Sequence, residues 1–134
     1  MLIRRAQPSD VTRITQIQSC SPECAHWNAA DYLDQSSWVA EVDGVVRGYI
    51  AARQIVPEEF EVLDVAVEPS ARNCGIGRAL VHHVRAELTG AGFLEVRESN
   101  VGAQQMYASC GWRAVGRRKE YYADPLEDAV VMKI

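Results

Sequence analysis

From Val67 to Leu80 the chain reads V-E-P-S-A-R-N-C-G-I-G-R-A-L, with Arg72, Gly75 and Gly77 spaced R-x-x-G-x-G between an apolar run and an amphipathic one. Those residue types at that spacing suit the binding of an anion. Residues 60–67 suit a strand, and a helix beginning near Gly75 aims its unpaired N–H groups and positive dipole end back toward that strand's mouth. Glycine at 75 and 77 lets the backbone turn tightly and approach a ligand without Cβ interference. A phosphate-bearing ligand is implied. A Walker loop is excluded because Gly77 is followed by Arg78 and Ala79, not Lys and Ser/Thr. A dinucleotide fingerprint is excluded because Leu80 stands where its third glycine belongs. An ordinary glycine-rich turn satisfies the same six-residue pattern, so the loop alone leaves both readings open.

The loop is similar to the R/Q-x-x-G-x-G/A loop of the GNAT superfamily of acetyl-CoA-dependent N-acetyltransferases, which binds the coenzyme A pyrophosphate. The second half of the chain adds to this. Leu94 to Trp112 reads L-E-V-R-E-S-N-V-G-A-Q-Q-M-Y-A-S-C-G-W, followed by R-R-K-E-Y-Y and E-D-A-V-V-M-K-I. This stretch resembles the bacterial ribosomal-protein alanine N-acetyltransferases over residues 58–134. The likeness fades over 1–57 to general layout, with Trp27 in the region where that branch carries a Pro-Trp step. The resemblance implies an α/β (α+β) GNAT fold over residues 1–134, one domain with a mixed central sheet of about six to seven strands, flanking helices and a splayed parallel pair.

Residue roles follow from the resemblance. Acetyl-CoA is the implied cosubstrate. Backbone groups of Val65, Ala66 and Val67 would pair with its amide-bearing arm as another strand would. Asn73, Cys74, Gly75, Ile76, Gly77 and Arg78 would surround the pyrophosphate, with Arg72 and Arg78 adding charge-assisted bonds. Arg78 is read equally as a solvated cation. Asn100 would reach the coenzyme through its amide, cap its helix, or do both. Glu95 is the expected general base, acting directly or through water; a rim pair with Arg97 or Arg113 is the structural alternative, and Asp64 on the neighbouring strand is the second-choice base. Tyr107 is the expected general acid. A free phenol near pKa ~10 gives its proton reluctantly to a thiolate whose acid lies near ~8.5, so a strong hydrogen bond precedes full transfer. A buried amphipathic tyrosine has the same spacing. Tyr121 and Tyr122 would contact a peptide and Trp27 would wall the entrance, or all three are rim aromatics. Cys74 departs from the family's polar residue. It is either an oxidation-sensitive thiol at a helix N-terminus or an inert small residue.

Attack on a thioester needs a neutral amine. A terminal α-amine near pKa ~8 is neutral in roughly one molecule in ten at pH 7, whereas lysine near ~10.4 is neutral in well under ~0.1%. One ordinary carboxylate therefore suits a protein N-terminus, and by resemblance a ribosomal protein with a small first residue such as alanine. Acetylation of a small-molecule amine or a lysine stays open, as does a non-catalytic acyl-CoA-binding module.

The chain has 134 residues, 48% hydrophobic and 24% charged, with no apolar stretch approaching the ~18 residues of a membrane span. The N-terminus lacks the apolar core of a signal peptide, so a cytoplasmic protein is expected. Cys20, Cys24, Cys74 and Cys110 form no C-x-x-C pair, which favours reduced thiols. Cys20, Cys24 and His26 lack a fourth ligand at plausible spacing, so no metal is expected. A formal net charge of −4 argues against a nucleic-acid groove and suits a basic partner. Glu58, Glu59, Glu61, Asp64 and Glu68 gather carboxylates near the central strand; Glu58, Glu59 and Glu68 read as a solvated edge.

Several elements must position these groups. Leu2 to Ala6 suits a strand, and Pro8-Ser9-Asp10 starts a helix carrying Val11, Ile14 and Ile17 on one face. Residues 19–35 suit a loop with a short helix near Asn28 to Leu33. Asp43-Gly44 signals a hairpin between Trp38–Val42 and Val45–Ile55. Ile76, Leu80, Val84 and Leu88 mark a helix that Gly90 and Gly92 end. Phe93 to Arg97 suits a strand parallel to 60–67 across that helix. Ala103, Met106, Tyr107 and Cys110 mark a further helix ended by Gly111. Trp112–Val115 and Ala129–Ile134 suit closing strands, with Arg117–Asp124 as a basic, aromatic loop between them.

Overall fold

The computed structural model describes residues 1–22 and 28–134. Among these, seven strands form one sheet: β1 (Leu2–Arg5), β2 (Ser36–Val42), β3 (Val45–Val56), β4 (Glu59–Val67), β5 (Ala91–Arg97), β6 (Arg113–Ala123) and β7 (Leu126–Lys133). Three α-helices accompany them, α1 (Val11–Ser19), α2 (Ile76–Glu87) and α3 (Val101–Ser109), with a 3-10 helix at Ala29–Asp34. The strand order is β1-β2-β3-β4-β5-β7-β6, antiparallel except for the β4–β5 pair joined through α2. The mixed sheet and parallel pair are those expected from the sequence. No described helix is long and apolar enough to cross a membrane.

The β2–β3 hairpin turns on Asp43 (φ 53°) and Gly44 (φ 78°), the two left-handed positions of a twist-matched two-residue turn. The sheet separates two apolar clusters. On one face α2 and α3 bury Phe60, Leu80, Val84, Leu94, Tyr107 and Trp112; on the other α1 buries Ile14, Ile17, Tyr32, Val39 and Tyr49.

Two features of β4 open the sheet. Its pairing with β3 runs Ala51↔Asp64 and then Ala52↔Val62, so Leu63 is an extra residue, a β-bulge. The bulge reverses the alternation: Phe60 and Val62, but then Val65 and Val67, face the α2 cluster, while Ala66 joins Tyr49 on the α1 side. The parallel ladder to β5 consists of Glu59↔Ala91, Phe60↔Gly92 and Glu61↔Phe93, and the strands diverge beyond it.

Three expectations need correction. Gly90 (φ +85°) makes the turn after α2, but Gly92 lies inside β5: a Cβ there would stand 2.5 Å from Phe60 Cζ and 2.7 Å from Trp112 Cη2. Close packing, not helix termination, requires it. The helix itself stops at Glu87, and Leu88 is already extended. Arg117–Asp124 is not a loop; most of it belongs to β6, an edge strand exposed along nearly its whole length, whose polar residues hide the period-two signal. A bulge between Arg118 and Tyr122, with Glu120 at φ 50°, breaks the register further.

Candidate active site

Where β4 and β5 part, a cleft of about 570 Å³ opens, walled by Val65, Ala66 and Val67 on β4, the loop into α2, and Asn100, Ala103 and Met106 of α3. Val65, Asn100 and Ala103 also line a smaller cavity of about 70 Å³, together with Asp64, Glu95, Tyr107 and Tyr122. The two spaces are neighbours that share these three walls. One lining holds the glycine loop expected to cradle an anion and the other holds the titratable side chains of Asp64, Glu95, Tyr107 and Tyr122.

At the cradle, Gly75 caps α2 at φ +84°, a left-handed conformation that disfavours any Cβ, and Asn73 precedes it at φ 62°. Ala79 N–H donates to Gly75 O at 3.0 Å, which leaves the N–H groups of Ile76, Gly77 and Arg78 at the open helix end. A Cβ on Gly77 would meet Val67 Cγ2 at 3.7 Å and Met106 Cε at 3.8 Å, ordinary contact distances. Internal packing thus tolerates a side chain at 77. What a bare backbone serves there is the cleft that it lines, which suits an anion held by amides.

Of the residues expected at a coenzyme, Val65, Ala66, Val67, Arg72, Asn73, Gly75, Ile76, Gly77, Arg78 and Asn100 all line the cleft. Cys74 does not; its exposed thiol turns back to Arg72 O at 3.5 Å. Arg72 spends its donors on protein: Nε on Val67 O (3.0 Å), Nη2 on Cys20 O (3.1 Å) and Ser21 Oγ (3.0 Å). It braces the wall of the cleft against the segment after α1. Asn100 caps α3, its Oδ1 accepting from Ala103 N–H at 3.2 Å, with its side-chain NH₂ left for the cleft that it lines.

At the other end, Glu95 is inclined to the face opposite α2 and receives Arg118 Nε at 3.1 Å. Neither Arg97 nor Arg113 is its partner among the described ion pairs. Burial, and after it the Glu61 carboxylate, push the Glu95 carboxyl up from its ordinary value, while Arg118 and Arg53 pull it back. Tyr107 is buried on α3 with its ring 6.0 Å from that of Trp112. Tyr122 lines the small cavity under Arg97, whose guanidinium lies 4.2 Å from its ring. Burial, then Tyr121, pushes the Tyr122 phenol up to about 12. Tyr121 is exposed and meets Tyr122 edge-on at 5.1 Å. Asp64 is buried on the α1 side, accepting from Tyr49 (2.5 Å) and Tyr32 (2.8 Å). Trp27, Cys24 and His26 lie outside the described residues; no metal-binding cluster occurs among the described ones.

Sequence reasoning missed two supports. Glu68 is no solvated carboxylate: it is buried and paired with Arg13 and Arg47, with Ser70 Oγ donating at 2.8 Å. Its partners are too remote in sequence to be read from spacing. Glu127 accepts from Ser99 N–H (2.6 Å) and Arg97 (3.1 Å), pinning the β5–α3 junction to the β6–β7 hairpin. Those Ser99 bonds, then Arg97, hold its carboxyl below the ordinary value. The Glu127-Asp128-Ala129 triplet was the one signal that pointed there.

Comparison with known proteins agrees with this architecture. The chain is 38% identical over 90 residues to the [ribosomal protein bS18]-alanine N-acetyltransferase of Escherichia coli K12, a match covering 63% of this chain and 61% of that relative's length. The crystal structure of the ribosomal-protein-S18-alanine N-acetyltransferase from Escherichia coli superposes with a TM-score of 0.85 at 24% identity, over 99% of this chain and 92% of its own. Arabidopsis thaliana NAA60, solved in complex with acetyl-CoA, superposes at 0.87 with 18% identity over 99% and 97%. At such identities the two structures share the fold. The acetyltransferase (GNAT) family model matches residues 8–112, from the first helical turn through Trp112, and on that match the chain belongs to the acetyltransferase (GNAT) family.

Proposed function

We propose that this chain transfers the acetyl group of acetyl-CoA to the N-terminal α-amine of a protein, and that the acceptor is a ribosomal protein with a small first residue such as alanine. The observation that carries this is the adjacency of two spaces at the splay: the cleft lined by the open helix end at Gly75–Arg78 shares Val65, Asn100 and Ala103 with the cavity lined by the half-buried Glu95 carboxylate. The relative's name supplies the acceptor class.

In this scheme the diphosphate of acetyl-CoA rests on the N–H groups at the start of α2. Its pantetheine arm runs along β4 from Val67 to Val65, which carries the thioester toward Tyr107. Glu95 takes a proton from the acceptor ammonium. The neutral nitrogen attacks the thioester carbonyl, forming the C–N bond; the C–S bond then breaks, the nitrogen loses its second proton to solvent, and the departing thiolate is met by the Tyr107 hydroxyl. Arg97, Glu127 and Ser99 hold the β5–α3 junction, and so the spacing of Glu95 and Tyr107. Tyr121, Tyr122 and Asp64 stand on the acceptor side. Acetyl-CoA and nascent or ribosomal proteins place the reaction in the cytoplasm.

Purified protein incubated with acetyl-CoA, an alanine-starting peptide containing an internal lysine, and spermidine tests this. Fragment-ion mass spectrometry is expected to find the acetyl mark on the α-amine alone. A mark on lysine or spermidine, with the α-amine unmodified, overturns the acceptor assignment.

A further inference from the structure

Glu95 has one ion-pair partner among the described residues, and that partner comes from the far edge of the sheet. Leu94 and Val96 point to the α2 side, so alternation sends Glu95 to the opposite face. Across β7 it sits in the row Glu95–Val131–Gly116, and the next row on that face is Arg97–Ala129–Arg118. Gly116 has no side chain and Ala129 only a methyl group. The Arg118 side chain can therefore lean over β7 and place Nε 3.1 Å from Glu95 Oε1.

The pair is lopsided. The Glu95 side chain is 16% exposed and that of Arg118 is 59% exposed, with its guanidinium 5.8 Å from the exposed Tyr121 ring. So open an ion pair adds little to folding. The groups facing Glu95 are Glu61 from β4, Arg53 from β3, and Arg118, Tyr121 and Tyr122 from β6. Arg53 is committed to Glu61 at 2.9 Å. Arg118 is thus, among the described residues, the cation in direct contact with Glu95.

We propose that Arg118 is a positioning residue for the acceptor: its guanidinium stands beside Glu95 where the acceptor ammonium will stand, holds that place beside the carboxylate until then, and swings to solvent over Tyr121 when that ammonium arrives. This rests on Glu95 as proton acceptor. Exchange of one cation for another never leaves the half-buried carboxylate alone, which avoids the cost of an uncompensated charge. It also gives two opposed effects on removal of Arg118. Burial and Glu61 then act on Glu95 with less opposition, so its carboxyl takes a proton at higher pH. Once ionised, it receives the acceptor without first losing a tethered cation.

R118Q and R118K in the full chain test this, with carbon-13 NMR of the Glu95 carboxyl (assigned through E95Q), pH profiles of kcat/KM for an alanine-starting peptide, and acetyl-CoA calorimetry. In R118Q the Glu95 midpoint and the acid limb of kcat/KM are expected to rise together by about half a pH unit or more. Above both midpoints the peptide KM falls severalfold. R118K behaves as the parent does, and acetyl-CoA affinity stays within about twofold in both. An NMR midpoint in R118Q that overlays the parent's, or a peptide KM unchanged or raised at high pH, overturns the placeholder role. An NMR midpoint that rises while the acid limb stays fixed sinks Glu95 as the base and leaves only the contact, as does parental turnover in E95Q.

Discussion

Tyr107 is held by packing on several sides, which makes its hydroxyl separable from its ring. The ring belongs to the buried cluster and lies against Trp112, and the backbone carbonyl accepts from Trp112 N–H at 3.1 Å and Cys110 N–H at 2.9 Å. Tyr107→Phe keeps all of that and deletes one oxygen. General acid catalysis contributes about 10²–10⁴ in rate, so kcat is expected to fall about a hundredfold while acetyl-CoA affinity by calorimetry stays unchanged. A kcat within twofold of the parent would assign Tyr107 to the core alone. Asp64 differs in kind from Glu95 although both are carboxylates at the splay. Two phenols already donate to Asp64 on the α1 side, whereas Glu95 meets the exposed guanidinium of Arg118. That contrast is what ranks Glu95 first as proton acceptor.

The elements are tuned to let two strands separate without losing the sheet. β4 and β5 share three register pairs, and directly beside the last of them Gly92 lets Phe60 and Trp112 close edge-to-face at 6.2 Å. A methyl group at 92 has no room, since it would fall 2.5 Å from Phe60 Cζ. Gly92→Ala is expected to cost about 1–3 kcal/mol by overpacking, read as a lowered urea midpoint at unchanged slope. An unchanged midpoint would mean that the rings repack freely and that the hinge of the splay is looser than drawn. This hinge shows where sequence reading stops. The cradle was legible because Arg72 to Gly77 is local: a strand, a turn and a helix start within a dozen residues. Glu95 and Tyr107 were singled out through the resemblance of their surroundings, and the structure brings both to the small cavity. Gly92 was misread because a glycine two residues past Gly90 looks like punctuation, and only the distant Phe60 and Trp112 reveal its purpose. Residues 117–124 were misread because an exposed edge strand carries no apolar alternation, and Arg118 gained a role only once β7 set it across from Glu95.

At the scale of the molecule, the sheet is two halves, β1–β4 and β5-β7-β6, joined by a short ladder and by the helices that cross it. The cleft takes its walls from both halves: Val65 to Val67 and the start of α2 from the first, Asn100 to Met106 of α3 from the second. In the proposed scheme the arm of acetyl-CoA lies along the β4 wall of this cleft. Binding to the folded state alone stabilises by about 2.7 kcal/mol at a hundred times Kd. For a chain of this size, that is a rise in Tm on the order of 5–10 °C. Acetyl-CoA is expected to produce such a rise. Acetyl-pantetheine, which carries the thioester arm without the diphosphate, is expected to fall well short of it at equal concentration, because the amides of Ile76, Gly77 and Arg78 have nothing to grip. Equal rises for the two compounds would assign the binding energy to the β4 wall and leave the glycine loop as a turn; no rise for either would remove the cleft from the reaction. Gly75→Ala separates these further, since it forces a Cβ into φ +84° with no neighbour within 4 Å to clash. The strain there acts on the cradle's shape alone, so this variant is expected to lose the acetyl-CoA increment while responding to acetyl-pantetheine as the parent does.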